Sequence, residues 1–526
     1  MKLNLILVSL YFVFSQNCLA SEYIAYFTKS IDKKTIHHQH TKVRRIFGPH
    51  QKFALLESNK SLDDLRAILK KNEYFKHLSI NSQINLFNEK ELKPILSKQK
   101  LKQVIKNKKV NGYWWQENIS LKKAHQIYQG DDRMIVAVLD TGVDYRHPDI
   151  AENIHTNDNE VPNNGIDDDN NGFIDDFKGY NSYSAGGSAM DDNGHGTHCA
   201  GIIAGNGKMT GVAPGVKILP IKFLNNYGQG DIAKAIEGIY YAVKNGAKII
   251  SNSYGNPNSN EAFLEAINYA KENDVLFFAA AGNANNDNDL RGEYPANYHL
   301  GNVISVGAMN SNLHKSSFSN YGQLSVNLFA PGETITSLDV NSGYKVRSGT
   351  SMATPMAAGV AALIWGNSPE LEPENVVEIL VKTTSKHQSL YPLSQTPGSI
   401  NAEYGLKNMT SPSKLPIPRS SIMVQEYILN SETPYQNNTN RPYLVSKANV
   451  KMMALNFTKI DIENGYDYLQ IESPNGKVLK KITGRISGGI TDFFPHNELI
   501  IRIISDHSTA GQGFEINKIK YVVDKK

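Results

Sequence analysis

Five short runs between residues 134 and 307 constrain the fold of this 526-residue chain more than anything else in it. Met134-Ile-Val-Ala-Val-Leu, Lys217-Ile-Leu-Pro-Ile-Lys-Phe, Lys248-Ile-Ile-Ser-Asn-Ser, Val275-Leu-Phe-Phe-Ala-Ala and Val303-Ile-Ser-Val-Gly are apolar without clean alternation. A strand with one wetted face alternates polar and apolar residues, whereas a strand covered on both faces does not. These runs therefore predict a parallel sheet. Between them, Asp231 to Asn245 and Asn260 to Asn273 carry helical spacing. The expected architecture over residues 113–410 is α/β, a doubly wound parallel sheet with its active residues at the carboxyl ends of the strands. Asp140 stands at such an end.

The chain is too long for one ordinary domain, and its composition changes on both sides of this core. Lys2, the apolar stretch Leu3 to Phe14 and the small-residue site Cys18-Leu19-Ala20 read as an export signal over residues 1–20. That points to a secreted protein, extracellular or periplasmic according to the number of membranes. The stretch is about a dozen residues long, short of the roughly 20 that span a bilayer, and no later stretch qualifies, so no stable membrane anchor is expected. With Cys18 removed only Cys199 remains, and no intramolecular disulfide can form. Stability must then come from packing or bound metal. Cys199 itself reads as a small buried residue on the helix after His195.

The net charge of +4 hides a split. Residues 1–112 hold 21 basic against 8 acidic residues, a net of +13, and the remainder nets −9. Opposite charges suit a detachable N-terminal segment that docks on the rest. No reading motif or interleaved aromatics accompany the lysines, so nucleic acid is not an expected partner. Residues 22–88 look like a small α+β unit. Tyr23-Ile-Ala-Tyr-Phe-Thr and Phe53-Ala-Leu-Leu-Glu read as strands, Ser61 to Asn72 as a Ser-capped helix, and Phe75 to Phe87 as strand-like alternation. Lys90 to Lys109, with eight lysines, reads as an exposed linker open to proteolysis. After the proline-punctuated Ser411-Pro-Ser-Lys-Leu-Pro-Ile-Pro, residues 420–526 are strand-rich and read as a β-sandwich.

Chemistry concentrates in four blocks: Val-Ala-Val-Leu-Asp140-Thr-Gly-Val-Asp, Asn-Gly-His195-Gly-Thr-His, Ala-Ala-Ala-Gly-Asn283 and Ser-Gly-Thr-Ser351-Met-Ala-Thr-Pro. A serine hydroxyl is a weak nucleophile until a base takes its proton. His195 can be that base, with Asp140 fixing its tautomer and stabilising the imidazolium. Residues 351–365 read as a buried helix whose N-terminal dipole and Ser351 N–H favour an oxyanion, and Asn283 can supply the second donor. His195 and His198 lack the His-Glu-x-x-His pattern of a zinc hydrolase.

Together, and in the order Asp, His, Ser, the blocks resemble those of the subtilisin-like serine proteases. The resemblance implies an endopeptidase made as an autoprocessed zymogen and acting as a monomer on protein or peptide substrates. It makes residues 21–112 a propeptide and basic linker that inhibits the enzyme until cleavage, here placed just before Tyr113. It implies that extended peptide adds as a strand between segments holding Gly228 and Gly230 on one side and Ser253, Tyr254 and Gly255 on the other, with Ala280 beside the primary pocket. Small residues there suit a roomy, mainly apolar pocket. An acidic insertion resembles an incomplete EF-hand loop, with Asp167, Asp169, Asn171, the Phe173 carbonyl and Asp175 as calcium ligands. Residues 420–526 resemble a CUB domain, for which Glu463, Asp467 and Asp506 would form a second calcium site.

Overall fold

The computed structural model describes residues 20–34, 36, 41–87, 89, 113–289, 291–391, 393–411, 420–463, 466–486, 489–491 and 493–524. The expected signal segment, most of the basic linker with the maturation point before Tyr113, and linker residues 412–419 lie outside the described residues. The chain divides into two compact units, one ending at Asn81 and the other beginning at Ser82.

The first unit is an antiparallel sheet of β1 (Ser21–Phe27), β2 (Thr41–Phe47), β3 (Phe53–Ser58) and β4 (Phe75–Ile80), in the order β2-β3-β1-β4. The helix Leu62–Leu69 starts where Ser61 Oγ accepts the Asp64 N–H at 3.1 Å, and it buries Leu65 and Leu69. Strand β2 was not anticipated from the sequence. It is an edge strand carrying Lys42, Arg44 and Arg45, the charges that keep an exposed edge from pairing with other chains.

The second unit opens with β5 (Gln83–Leu86), then β6 (Ile135–Asp140), β7 (Lys217–Lys222), β8 (Gln229–Asp231), β9 (Ile249–Asn252), β10 (Tyr254–Gly255) and β11 (Leu276–Ala280). It continues through β12 (Val303–Met309), β13 (Leu328–Pro331), the hairpin of β14 (Ile335–Asp339) and β15 (Gly343–Arg347), and the short β16 (Ser385–Lys386) and β17 (Gly398–Ser399). Eight of these strands form one sheet in the order β16-β17-β13-β12-β11-β9-β6-β7, parallel except where β16 meets β17. All five predicted apolar runs are in it. The interior strand β11 is buried at every position, as a strand covered on both faces must be. Helices Ile232–Lys244 and Glu261–Glu272 start at the side-chain caps Asp231 and Asn260. Thr350–Asn367 is buried on all sides from Thr350 to Gly366, so it is a core helix.

The strand order places the site. From β6 the chain steps to β7 on one side, then crosses back to β9 on the other. This reversal opens a crevice at the carboxyl ends of β6 and β9, where α/β sheets hold their ligands. Asp140 ends β6, and Ser253 follows β9 directly.

Between residues 420 and 524 two antiparallel sheets pack face to face. One pairs Ser420–Asn430, Gly513–Asp524 and Met452–Ile462, and the other Asn440–Ser446, Glu498–Ile504, Tyr468–Glu472 and Val478–Ile482. Leu455, Phe457 and Ile516 from the first share a core with Ile471, Leu499 and Ile501 from the second. This is the expected sandwich. It joins the α/β region through Leu324, Ala454, Phe493 and Val522, and Phe493 N–H donates to the Asp289 carbonyl at 3.1 Å. Among the described residues no helix is long and apolar enough to cross a membrane.

Candidate active site

His195 begins the helix His195–Ala204, and Gly196 allows that helix to approach β6. A Cβ on Gly196 would lie 2.1 Å from the Gly142 carbonyl oxygen and 3.1 Å from Asp140 Cβ. The approach brings His195 Nδ1 to 2.8 Å from Asp140 Oδ1, which also accepts the Thr141 N–H at 2.7 Å. Asp191, a residue the sequence reading passed over, ties the two elements together. Its carboxylate accepts from Thr141 Oγ1 (2.8 Å), Gly194 N (3.0 Å), Thr197 N (2.9 Å) and Thr197 Oγ1 (2.6 Å). His198 turns elsewhere, to the Lys345 carbonyl at 3.1 Å, and burial drives its pKa down to about 3. The two imidazoles therefore do not converge on one metal. Cys199 is buried on the same helix, and burial pushes its thiol pKa well up, so it is a packing residue and not a nucleophile.

Ser351 sits in the first turn of Thr350–Asn367, where its N–H has no intrahelical acceptor. Asn283 is held beside it because its Oδ1 accepts from both Thr350 N and Thr350 Oγ1 at 2.9 Å. Its Nδ2 is thereby turned away from Thr350 and comes close to Gly349, where a Cβ would lie 3.1 Å from it. Ser351 Oγ donates to the Ser253 carbonyl at 3.3 Å, and Ser253 Oγ returns a bond to the Ser351 carbonyl at 2.9 Å. An oxyanion role for Asn283 predicts that replacing it by alanine lowers kcat by about 10²–10³ with little change in KM, since such a donor acts only on developing charge. A large rise in KM at normal kcat would contradict that role.

A segment of the chain itself lies against His195. The sequence read Phe75 to Phe87 as one strand-like stretch, but it breaks after Ile80, and β5 joins a different sheet. β5 is the middle strand between β8 and β10, antiparallel to both, pairing Ile84 with Gly230 and Asn85 with Gly255. Leu86 N–H donates to the Gly228 carbonyl at 2.9 Å. Gly228, Gly230, Tyr254 and Gly255 thus flank an extended peptide, and Ala280 is buried at the end of β11. Two residues past Phe87, Glu89 Oε1 faces His195 Nε2 at 3.2 Å, an ion-pair contact without good hydrogen-bond alignment, while its Oε2 accepts from Arg347 at 2.8 Å. Burial opposes ionisation of Glu89, yet His195 and Arg347 together pull its pKa down to about 2. Burial likewise opposes the imidazolium, but Asp140 and then Glu89 outweigh it and push His195 up to about 9.

Glu293 lies close by and was also missed. A Cβ on Gly255 would lie 2.4 Å from the Phe87 ring and 2.6 Å from Glu293 Oε1, so ring and carboxylate meet over that glycine. The mainly apolar pocket expected from the sequence thus has a carboxylate beside it.

Of the acidic insertion, Asp167 accepts from Asn171 N and Gly172 N, and Asp169 from Asn171 N. Asp175 accepts from Asn164 N and Gly165 N, and Phe173 packs its ring on Tyr180 and Tyr241. The carboxylates that converge are Glu160, Asp169 and Asp176. Glu160 and Asp176 are carboxylates of this group that counting along an EF-hand loop could not find. Glu463, Asp467 and Asp506 form a second convergent group, with Asp467 accepting from Tyr435 Oη at 2.5 Å and from Asp506 N at 2.8 Å.

A parallel sheet with an Asp-His pair at its switch point and a serine at a buried helix start defines a serine hydrolase of the α/β type. The chain matches the subtilase family, Peptidase S8, over residues 131–406 and the CUB domain over residues 422–518. It belongs to the subtilase family, whose members are serine endopeptidases. It is similar to an intracellular serine protease of Paenibacillus polymyxa, with 43% identity over 235 residues, 44% of this chain and 65% of the relative. Thermitase of Thermoactinomyces vulgaris is 37% identical over 252 residues, 47% of this chain and 80% of that protein. The cell wall-associated protease of Bacillus subtilis is 40% identical over 253 residues, 47% of this chain but 25% of the relative. The chain thus spans under two thirds of the first and a quarter of the third.

Proposed function

We propose that this chain is an exported, calcium-stabilised serine endopeptidase made as a zymogen, and that its C-terminal sandwich binds a substrate or partner. The single observation that carries this reading is β5 running as a peptide strand between β8 and β10, with Glu89 beyond its end on the His195 imidazole. Once Glu89 leaves, rotation of the Ser351 side chain off the Ser253 carbonyl brings Oγ toward His195. Oγ then attacks the scissile carbonyl as His195 Nε2 takes its proton. The Ser351 N–H and Asn283 Nδ2 stabilise the oxyanion. Its collapse breaks the C–N bond, and His195 returns the proton to the leaving amine. Water then repeats the sequence on the acyl-enzyme. Fluorophosphonate labelling of wild type and Ser351→Ala, read by intact mass with calcium present, tests the reading. Label on wild type alone, on a shortened species, is the expected result. A folded, processed wild type that takes no label would overturn it.

Both acidic clusters suit a hard cation that takes oxygen ligands. Each contains a buried carboxylate oxygen with no hydrogen-bond partner, Glu160 Oε2 and Glu463 Oε2. Calcium at the first would be held by Glu160, Asp169 and Asp176, and it would relieve the burial that raises the Asp176 pKa. Removing calcium with a chelator should lower the melting temperature of wild type by about 5 °C or more. An Asp169→Asn, Asp176→Asn double variant should lose much less, and an equal loss in both would refute this site as the stabilising one.

A further inference from the structure

Building on the endopeptidase reading above, we propose that Glu293 sets the preference for the residue on the N-terminal side of the scissile bond, favouring lysine and arginine over phenylalanine. Phe87 directly follows β5 and stands two residues before Glu89, which meets His195, so its ring marks where that side chain of a substrate goes. The ring and Glu293 Oε1 converge on the same glycine, Gly255, and Gly282 closes the other side. A Cβ there would lie 3.3 Å from Glu293 Cγ. A lysine or arginine stem entering along the path of Phe87 ends at this carboxylate.

The backbone of Glu293 is fixed. Its N–H donates to Asn297 Oδ1 at 3.1 Å, and its carbonyl accepts the Asn297 N–H at 2.8 Å. Its carboxylate has no charged partner among the described residues, and burial alone pushes its pKa up to about 7. Two residues it packs against, Gly255 on β10 and Gly282 before Asn283, carry no charge. On its own segment Arg291 is exposed. A half-buried carboxylate without a partner is costly to ionise, and a substrate cation removes that cost. An apolar ring requires the neutral acid, whereas an ammonium or guanidinium requires the ionised one. The lysine-to-phenylalanine preference therefore climbs as pH rises toward about 7 and levels off above it. The chain's own Phe87 is on this account a slow substrate, which suits an inhibitory segment.

The test compares kcat/KM for peptides differing only in Lys, Arg or Phe at that position. It uses the calcium-loaded full-length protein after self-processing, at pH 5.5, 7 and 8.5, for wild type and Glu293→Gln. The ratio cancels the titration of His195, which both substrates share. In wild type the Lys/Phe ratio should rise at least about tenfold from pH 5.5 to 8.5. In Glu293→Gln it should stay flat, at or below the acid value of wild type. A flat ratio in wild type, or a Glu293→Gln ratio that follows wild type within about twofold, overturns the proposal. If the variant fails to fold by thermal unfolding, the wild-type pH course still decides. Failure of wild type to cleave any of the peptides or to take the fluorophosphonate would instead overturn the endopeptidase reading itself, so the two failures are told apart.

Discussion

Ser351→Ala is expected to leave the purified full-length chain uncut and to lower peptide hydrolysis by about 10⁶-fold. The size follows from the geometry. Asp140, His195 and Asn283 are all held by bonds that do not involve the Ser351 hydroxyl, so the variant should keep its fold and lose only the nucleophile. Among the described residues the one hydrogen bond lost is the 3.3 Å contact to the Ser253 carbonyl. Intact mass and a thermal melt on the same sample separate the two effects. A melting temperature near wild type with no shortened species is the predicted pair of results. Normal shortening without any other protease present would mean that maturation does not use Ser351.

Glu89→Gln is expected to speed release of the cleft segment by about tenfold at pH 6, equivalent to roughly one pK unit or 1.4 kcal/mol of lost charge pairing. The pH course carries the sign. Pairing with Glu89 raises the His195 pKa, so the imidazolium's share of the contact is complete below the ordinary histidine value of 6.5 and is lost as pH rises through about 9. Pairing lowers the Glu89 pKa, so the carboxylate's share is complete above the ordinary value of 4.5 and is lost only as pH falls through about 2. The contact is therefore tightest between pH 4.5 and 6.5 and loosens on the alkaline side. Asp140 supports part of the imidazolium in both states, so only the share due to Glu89 is at stake. Release in wild type should accelerate from pH 6 to 9 beyond the rise in activity of the released enzyme. Glu89→Gln should lose that extra acceleration. Identical pH courses in the two proteins would remove Glu89 from the control of the active site.

Much of this molecule was legible because the relevant physics is local. The apolar runs became strands of a parallel sheet because lack of alternation reports burial on both faces, whatever the partner. Asp231 and Asn260 cap their helices through their own backbone neighbours, so the starting points could be read within a few residues. The Asp140, His195 and Ser351 blocks announced themselves through glycines, and Gly196 shows why: no side chain fits between its helix and β6. Where the reading fell short, the deciding partner was remote. The charges on β2 left this edge strand unanticipated by a reading that looked for apolar runs. Spacing along the acidic loop pointed to Asp175, whose carboxylate accepts from Asn164 N and Gly165 N, while Asp169 converges with Asp176 and Glu160. The alternation from Phe75 to Phe87 was real, yet nothing in it said that the chain changes sheets after Ile80.

The sequence by itself determined which segments are buried strands, where helices start and which residues can act as nucleophile, base and orienting acid. Each of these depends on a residue and its near neighbours. Only the tertiary structure decided that β5 lies between β8 and β10, that Glu89 reaches both His195 and Arg347, and that Glu293 shares a glycine floor with Phe87. Those contacts join residues far apart along the chain, and a carboxylate written in sequence carries no record of the cation or ring it will face once the sheet order is set.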